Sequence, residues 1–512
     1  MMWTITPTQR PWYYALKGPY SDAVRAEMKL SPGCQWSPLD RAWLVPFDLV
    51  GDVSSWLRKL GMEHSVSERL TPPIAGLESL PFKLHPFQQE GLERFHLRGG
   101  AVLSYEMGLG KTPTALAIGH TVPGTKLVVC PPGVLPAWKE QLTRFDIPAE
   151  VIETGKVPAS PRADGWLICT STCLDKLPGN LNPKLVVLDE AHNIKSSKTE
   201  LARFMRSLRK SKPTIPFLAM TGTLAADTLI DVYNPVDLVF PGALGNWKAW
   251  RSHYFWLEHR SGGGREWDEV MGLHPINGPM LQRRLKALVC QASEAEQAHL
   301  LPPKSVEKVW VDLPKIESLI DDVGSPDFHT KFLQKHGLRK AAAVAKLAED
   351  EGAQTDNPIA CLFVHRSSAA KAQEFLGPDW VLITGAMSPA KREKAIAEAR
   401  LEGKGIVATM AAIKEGIDLT AWPTVIVGEF PYYPAMLLQV LKRFHRLNSP
   451  GPVKYLMVVG RGTVDETISA VVEDKINNSR GAIDVGGMGD SISGVAGVSD
   501  LAAIFGGDDD DS

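Results

Sequence analysis

The run Glu106-Met107-Gly108-Leu109-Gly110-Lys111-Thr112 follows the apolar stretch AVLSY and leads through Pro113 into a helix-forming sequence. A glycine-rich turn between a strand and a helix lets backbone N–H groups converge on phosphate oxygens, with the positive end of the helix behind them. Gly108 and Gly110 let the chain bend, and Pro113 is tolerated because a first-turn residue has no N–H partner to lose. Lys111 is expected to reach the β- and γ-phosphates of ATP and the Thr112 hydroxyl to ligate Mg²⁺, with Met107 and Leu109 completing the loop. Tyr105 stands where the general GxxxxGK[ST] pattern has its first glycine, so the motif by itself fits several nucleotide-binding families.

A second constellation, VLDEAH, places Asp189 and Glu190 just past another apolar strand. One carboxylate can hold the Mg²⁺ water shell, which assigns Asp189 with Thr112 to the metal, while the next can orient or deprotonate the attacking water. An acidic strand end is common on its own; paired with GKT 78 positions upstream it becomes a catalytic expectation. A third segment, QVLKRFHR, spaces Gln439, Arg443 and Arg446 at i, i+4 and i+7, which predicts one face of one helix. A guanidinium there can stabilise charge developing on the γ-phosphate.

The elements that must position these groups are legible as apolar runs each leading into a helix: AVLSY, KLVVC, WLICT, KLVVL and PFLAM, then a second series ACLFV, WVLI, GIVAT, TVIV and YLMVV. Alternating strands and helices predict parallel sheets with working ends at the strand C-termini. The fold class expected is therefore α/β, two similar lobes with a nucleotide cleft between them. In this reading 1–72 is a small α+β module, 73–82 a proline-rich linker, 83–241 the first lobe, 242–304 a helical or looped insertion, 305–480 the second lobe, and 481–512 a flexible acidic tail.

The bulk numbers exclude little. The 512 residues carry a net charge of −2, so composition does not argue for nucleic acid. Six cysteines without CxxC spacing indicate neither a zinc site nor a disulfide framework. No run of eighteen apolar residues suggests a membrane span, and a reducing cytoplasm, of a bacterium or a phage-infected host, is the expected compartment.

These motifs, in this order, resemble superfamily two helicases and translocases with RecA-like lobes, and in detail the Swi/Snf branch. LHPFQQEGLERF resembles that branch's adenine-reading element, which makes Gln88 the base reader. LVVCPPGVLPAWKEQLTRF, DEAHNIKSSKT, AMTGTL and ATMAAIKEGIDLT resemble further motifs. They imply nucleotide-binding roles for Gly416, Asp418 and Gln439, and a coupling role for Thr221, Gly222 and Thr223. The segment GCQWSPLDRAWLVPF resembles the accessory domain of annealing helicases, which implies a compact bacterial or phage-type enzyme whose module reads DNA structure. At least one of Trp36 and Trp43 is expected to be core. Asn448 and Ser449 stand where the family has Gly-Gln, and Gln291 and Ala292 where it has two arginines.

The resemblance implies an ATPase that translocates on duplex or branched DNA, touching phosphates through hydroxyls such as Ser171 and Thr409. A strand-separating helicase is the alternative, though no wedge hairpin stands out, and a nucleotide-gated protein-displacing switch is another. The tail SDLAAIFGGDDDDS could dock on a basic protein partner, but a solubilising end is the simpler expectation.

Overall fold

The computed structural model describes residues 2–70, 73–152, 165–179, 181–222, 224, 229–262, 265–313, 328–413, 417–431, 434–463, 465–466 and 468–470. The acidic tail therefore lies outside the described residues. Among those described, no helix is long and apolar enough to cross a membrane.

Two sheets are wholly parallel. The first runs in the order Val289–Ala292, Gly100–Tyr105, Phe217–Thr221, Leu185–Leu188, Thr125–Cys130, Gly165–Thr170, Ala149–Ile152. The second runs Lys304–Val311, Val453–Gly460, Thr424–Val427, Ile359–Phe363, Ile406–Thr409, Val381–Ile383. Strands such as Leu185–Leu188 and Ile359–Phe363 are buried at every position, because helices cover both faces of a parallel sheet and a continuous apolar run is the only sequence that suits it. Local chemistry sets the helix ends. Pro86–Arg98 opens with proline and stops at Gly99, whose φ of 67° is the left-handed cap that ends a helix without a Cβ clash.

The segment 242–304 holds helix Trp247–Tyr254, an antiparallel hairpin of Phe255–Gly262 with Arg265–Leu273, helix Gly278–Leu288, and strand Val289–Ala292. Two expectations change here. The four-residue strand VCQA, too short to show a period, pairs in parallel with Gly100–Tyr105 and is an edge of the first sheet. The stretch around the glycine run, read as a loop, is a hairpin after all.

The N-terminal module is a five-stranded sheet in the order Gln35–Ser37, Ala42–Pro46, Tyr13–Lys17, Trp3–Pro7, His64–Val66. Strand alternation splits its apolar residues between two cores. Trp3, Ile5, Leu16 and Val45 pack under helices Asp22–Leu30 and Val50–Lys59, whereas Trp12, Tyr13 and Leu44 join the core of the first lobe. Arg284 welds the two. Its guanidinium, 1% exposed, meets Asp48 Oδ2 at 2.5 Å and donates to the carbonyls of Pro32 at 2.8 Å and Ala243 at 2.7 Å. Gly33, at φ 98°, sits so close that a Cβ would fall 1.9 Å from the Ala243 oxygen.

Truncating Arg284 would strand the Asp48 carboxylate away from water. Arg284→Ala should lower stability by about 3–5 kcal/mol, read as a drop in thermal midpoint with earlier proteolysis of the module; an unchanged midpoint would disprove the weld.

Candidate nucleotide cleft

The carboxyl ends of the two parallel sheets face a cleft of about 320 Å³. Gln88, Met107, Gly108, Gly110, Lys111, Thr112, Pro113, Asp189 and Glu190 line it from the first lobe, and Asp418, Arg443 and Arg446 from the second. A wider space of about 660 Å³ opens beside it and shares Glu140, Arg144 and Asp418. That space is lined by neither the glycine loop nor the carboxylate pair, so phosphate chemistry belongs to the smaller cleft.

The loop is bent as its glycines permit, with φ 87° at Gly108 and 76° at Gly110. Gly110 caps the helix Lys111–His120, so that helix's free N–H groups and dipole open into the cleft. The Lys111 side chain is half-buried, and its ammonium donates to the carbonyls of Tyr105 at 3.0 Å and Glu106 at 3.4 Å. Burial pulls its pKa down, opposed by the nearby Glu190 and Asp189 carboxylates. Leu109, fully buried, anchors the loop from below.

Gln88 does something the sequence did not show. Its Oε1 accepts the His85 N–H at 3.0 Å, completing the helix cap, and its Nε2 donates to the Leu109 carbonyl at 3.1 Å. The expected base reader thus ties the glycine loop to the preceding helix, and a Cβ on Gly110 would lie 2.4 Å from its amide nitrogen.

Asp189 Oδ2 accepts the Trp138 indole N–H at 2.8 Å, and its Oδ1 accepts the Glu190 N–H at 2.8 Å. Burial and the Glu190 charge push the Asp189 carboxyl up to about 6. Glu190 has φ 48°, a left-handed conformation costing about 1–2 kcal/mol outside glycine; such strain gathers at functional sites. Burial opposes its ionisation, yet contact with His192 and the Lys111 and Arg443 charges hold its carboxyl below the usual range. His192 Nδ1 lies 3.2 Å from Glu190 Oε2 and 3.1 Å from Thr221 Oγ1. The fourth letter of DEAH therefore links the carboxylate pair to the threonine–glycine turn, a role its place in the motif could have suggested. Gly222 lies in the same turn, where a Cβ would come 3.6 Å from Lys111 Nζ; Thr223 lies outside the described residues.

A divalent cation fits this donor set. Thr112 and the two carboxylates face one space, and each Asp189 oxygen has a lone pair beyond its single hydrogen bond. Mg²⁺ is commonly held by one or two carboxylates plus substrate phosphates rather than by a full protein cage.

In the second lobe the helix Pro434–Leu441 ends before either arginine, so Gln439, Arg443 and Arg446 do not share a helical face. Tertiary capture stops it. Leu419 N–H donates to the Arg443 carbonyl at 3.1 Å, while the Ser449 hydroxyl accepts the Arg446 N–H at 2.8 Å and donates to the Phe444 carbonyl at 3.1 Å. Gln439 stays on the helix and does not line the cleft; Gly416 lies outside the described residues. Arg446 is pinned, donating to the Ile417 carbonyl at 2.7 Å beside Asp418 at 3.9 Å, and burial lowers its pKa. Asn448 donates to Asp418 at 3.2 Å. Arg443 is the arginine whose charge bears on Lys111 and Glu190 together.

The lobes already touch. Leu447 N–H donates to the Gly108 carbonyl at 3.3 Å, and Lys442 reaches Glu106 at 2.5 Å and Glu294 at 3.9 Å. Burial works against the Glu294 charge, but His445 and Lys304 hold its carboxyl down at about 2. Nothing local in the sequence marks this network, because its members meet only through the fold. Of the two hydroxyl residues expected at nucleic acid, Ser171 is half-buried, its N–H on the Cys130 carbonyl at 2.8 Å. Thr409 is 4% exposed at the end of a strand covered on both faces, so it offers no surface to a strand of nucleic acid in this conformation.

A glycine-loop lysine and a buried carboxylate pair on one parallel sheet, facing arginines on another, define a two-lobed nucleotide-binding protein of RecA-like build. Two family profiles match the chain, an SNF2-related domain over residues 167–350 and a helicase conserved C-terminal domain over 340–448. The chain thus carries an SNF2-related domain followed by a helicase conserved C-terminal domain. It is 25% identical over 80% of its length to the DNA annealing helicase and endonuclease ZRANB3 of Bos taurus. It is 22% identical over 84% to the putative ATP-dependent helicase/translocase YwqA of Bacillus subtilis. It spans 43% and 51% of those relatives' lengths. The SWI2/SNF2 ATPase core of Sulfolobus solfataricus, solved with dsDNA, aligns over 86% of this chain and 99% of its own at 20% identity and a TM-score of 0.39, too loosely to add to the argument.

A methyl group at Gly108 would strain a left-handed residue and lie 3.1 Å from the His445 carbonyl across the cleft. Gly108→Ala should weaken nucleotide binding roughly five- to thirtyfold, measured by displacement of a fluorescent nucleotide; parental affinity would show the lobe contact to be incidental.

Proposed function

We propose that this chain is an ATP-driven motor that moves on duplex or branched DNA and remodels or anneals it, as expected in repair, recombination or replication. The observation that carries the reading is that the glycine loop of one lobe and the arginines of the other line a single cleft, so nucleotide can bridge them. Lys111, whose ammonium meets the Tyr105 and Glu106 carbonyls, is the group that would bind the phosphates of ATP. Glu190, kept ionised by its neighbours, orients the attacking water, and Arg443 meets charge developing on the γ-phosphate. Mg²⁺ held by Thr112 and Asp189 would neutralise phosphate charge. The His192 contact to Thr221 carries the state of the carboxylate pair to the turn that follows.

Support for DNA as the track comes from the relatives' names, a DNA annealing helicase and a helicase/translocase. In this proposal 1–72 is a module reading DNA structure, 83–241 with the strand Val289–Ala292 forms the first lobe, and 305–480 forms the second. One observation favours a strand-separating helicase as the second reading: the hairpin Phe255–Leu273 carries Trp256 and Trp267 exposed at 60% and 50%. It is the shape of wedge that the sequence reading did not find.

Steady-state ATPase with no nucleic acid, then with single-stranded, duplex and forked DNA and with RNA, tests the proposal. Strong stimulation by duplex or forked DNA is expected. Stimulation by single strands alone would favour the hairpin helicase, and equal stimulation by RNA would reject DNA as the specific track. Lys111→Ala should abolish turnover, and Arg443→Ala should reduce it by on the order of a thousandfold; parental rates in either variant would displace the site.

A further inference from the structure

The segment that carries the chain from one lobe to the other leaves the first sheet at Ala292 and enters the second at Lys304. Its first turn is a reciprocal clasp. The Ser293 hydroxyl accepts the Glu296 N–H at 3.2 Å, and the Glu296 carboxylate accepts the Ser293 N–H at 3.1 Å. An S-x-x-E pair of this kind fixes the backbone between its ends, and between these ends lies Glu294, whose side chain is 9% exposed. A carboxylate so far out of water needs cations around it. It meets three: Lys304, His445 through Nδ1 at 3.4 Å, and Lys442 through Nζ at 3.9 Å.

Lys304 belongs to the connecting segment itself, whereas Lys442 and His445 belong to the turn that follows the helix Pro434–Leu441. Lys442 stands just before Arg443, and His445 two positions after it. The segment takes a second hold on this turn through the Pro302 carbonyl, 2.7 Å from His445 Nε2. Lys442 is gripped from the first lobe as well, by Glu106 at 2.5 Å. Pairing of the strand Val289–Ala292 with Gly100–Tyr105 brings the two carboxylates together, the Glu106 N–H donating to the Ala292 carbonyl at 2.9 Å. One lysine thus stands between a carboxylate of the glycine loop and a carboxylate of the connecting segment. The residues on both sides of Arg443 are held by groups from outside the second sheet.

Stabilisation of charge in a transition state falls steeply when the donor is misplaced, so an arginine carried on a turn needs that turn fixed. We propose that Glu294 is a positioning residue for ATP hydrolysis: through Lys442 and His445 it sets where Arg443 stands in the cleft. The reach of the arginine is then governed by the segment joining the lobes. The inference rests on the reading of Arg443 as the group that meets charge developing on the γ-phosphate. Glu294 does not line the nucleotide cleft, so removing its charge should leave nucleotide binding in place and slow turnover.

The test is a double-mutant cycle in the steady-state ATPase of the full-length chain, with nucleotide affinity read by displacement of a fluorescent nucleotide. Glu294→Gln keeps the shape of the side chain and removes its charge; it should lower kcat roughly ten- to a hundredfold, with nucleotide affinity within about twofold of the parent. In an Arg443→Ala background the same change should lower kcat little further, because the group it positions is gone. Glu294→Asp, which restores the charge, should recover part of the lost turnover. Parental kcat in Glu294→Gln, or the same fold loss with and without Arg443, would overturn the positioning role. Should Glu294→Gln fail to fold, Lys442→Gln, at the more exposed end of the network, replaces it in the cycle and is read in the same way. Parental turnover in Arg443→Ala alone, or a parent chain that turns over no ATP, would instead overturn the reading of the site on which the inference stands.

Discussion

A lysine ammonium drawn partly out of water has to be met by oxygen atoms, and the first lobe is arranged around that demand at Lys111. Two backbone carbonyls accept its hydrogen bonds, and the Glu190 and Asp189 charges oppose the fall in its pKa that burial causes. The carbonyls belong to the last strand residue and the first loop residue. The lysine therefore closes its own loop, and the glycines at 108 and 110 are what let the chain turn tightly enough for it to do so. Phosphate oxygens are better partners than carbonyls, so binding exchanges one set of acceptors for another rather than drawing the lysine in from solvent.

The second lobe answers with positive charge in graded degrees of fixation. Arg446 is held by Ile417 and Asp418, Arg443 faces the lysine and Glu190, and Lys442 crosses to Glu106 and Glu294. These three cations lie within five residues of chain, and what separates their roles is the turn that replaces the expected helix. Had the helix continued, Arg443 and Arg446 would have lain on the same face as Gln439, which does not line the cleft. The Ser449 hydroxyl is the group that closes this turn.

How much of this was visible in the chain follows from distance along it. The glycine loop and the DEAH run are contiguous, and strand-to-helix context suffices to read them. Burial on both faces made the parallel strands legible as apolar runs. What could not be read depends on partners far away in sequence. Gln88 is committed to Leu109, Trp138 to Asp189, and Lys442 to Glu106 across the two lobes, and none of these pairings leaves a local period. The strand Val289–Ala292 was missed because four residues carry no alternation to count. The hairpin at 255–273 was missed because its glycine run overshadowed the alternating residues on either side.

The Arg284 weld makes the N-terminal module part of the first lobe's rigid body, since one apolar core runs through both. A head that is cast in one piece with one jaw of a vice reports every movement of the other jaw as a change in reach. Opening or closing of the cleft would then move the second lobe against a single body made of the module and the first lobe together.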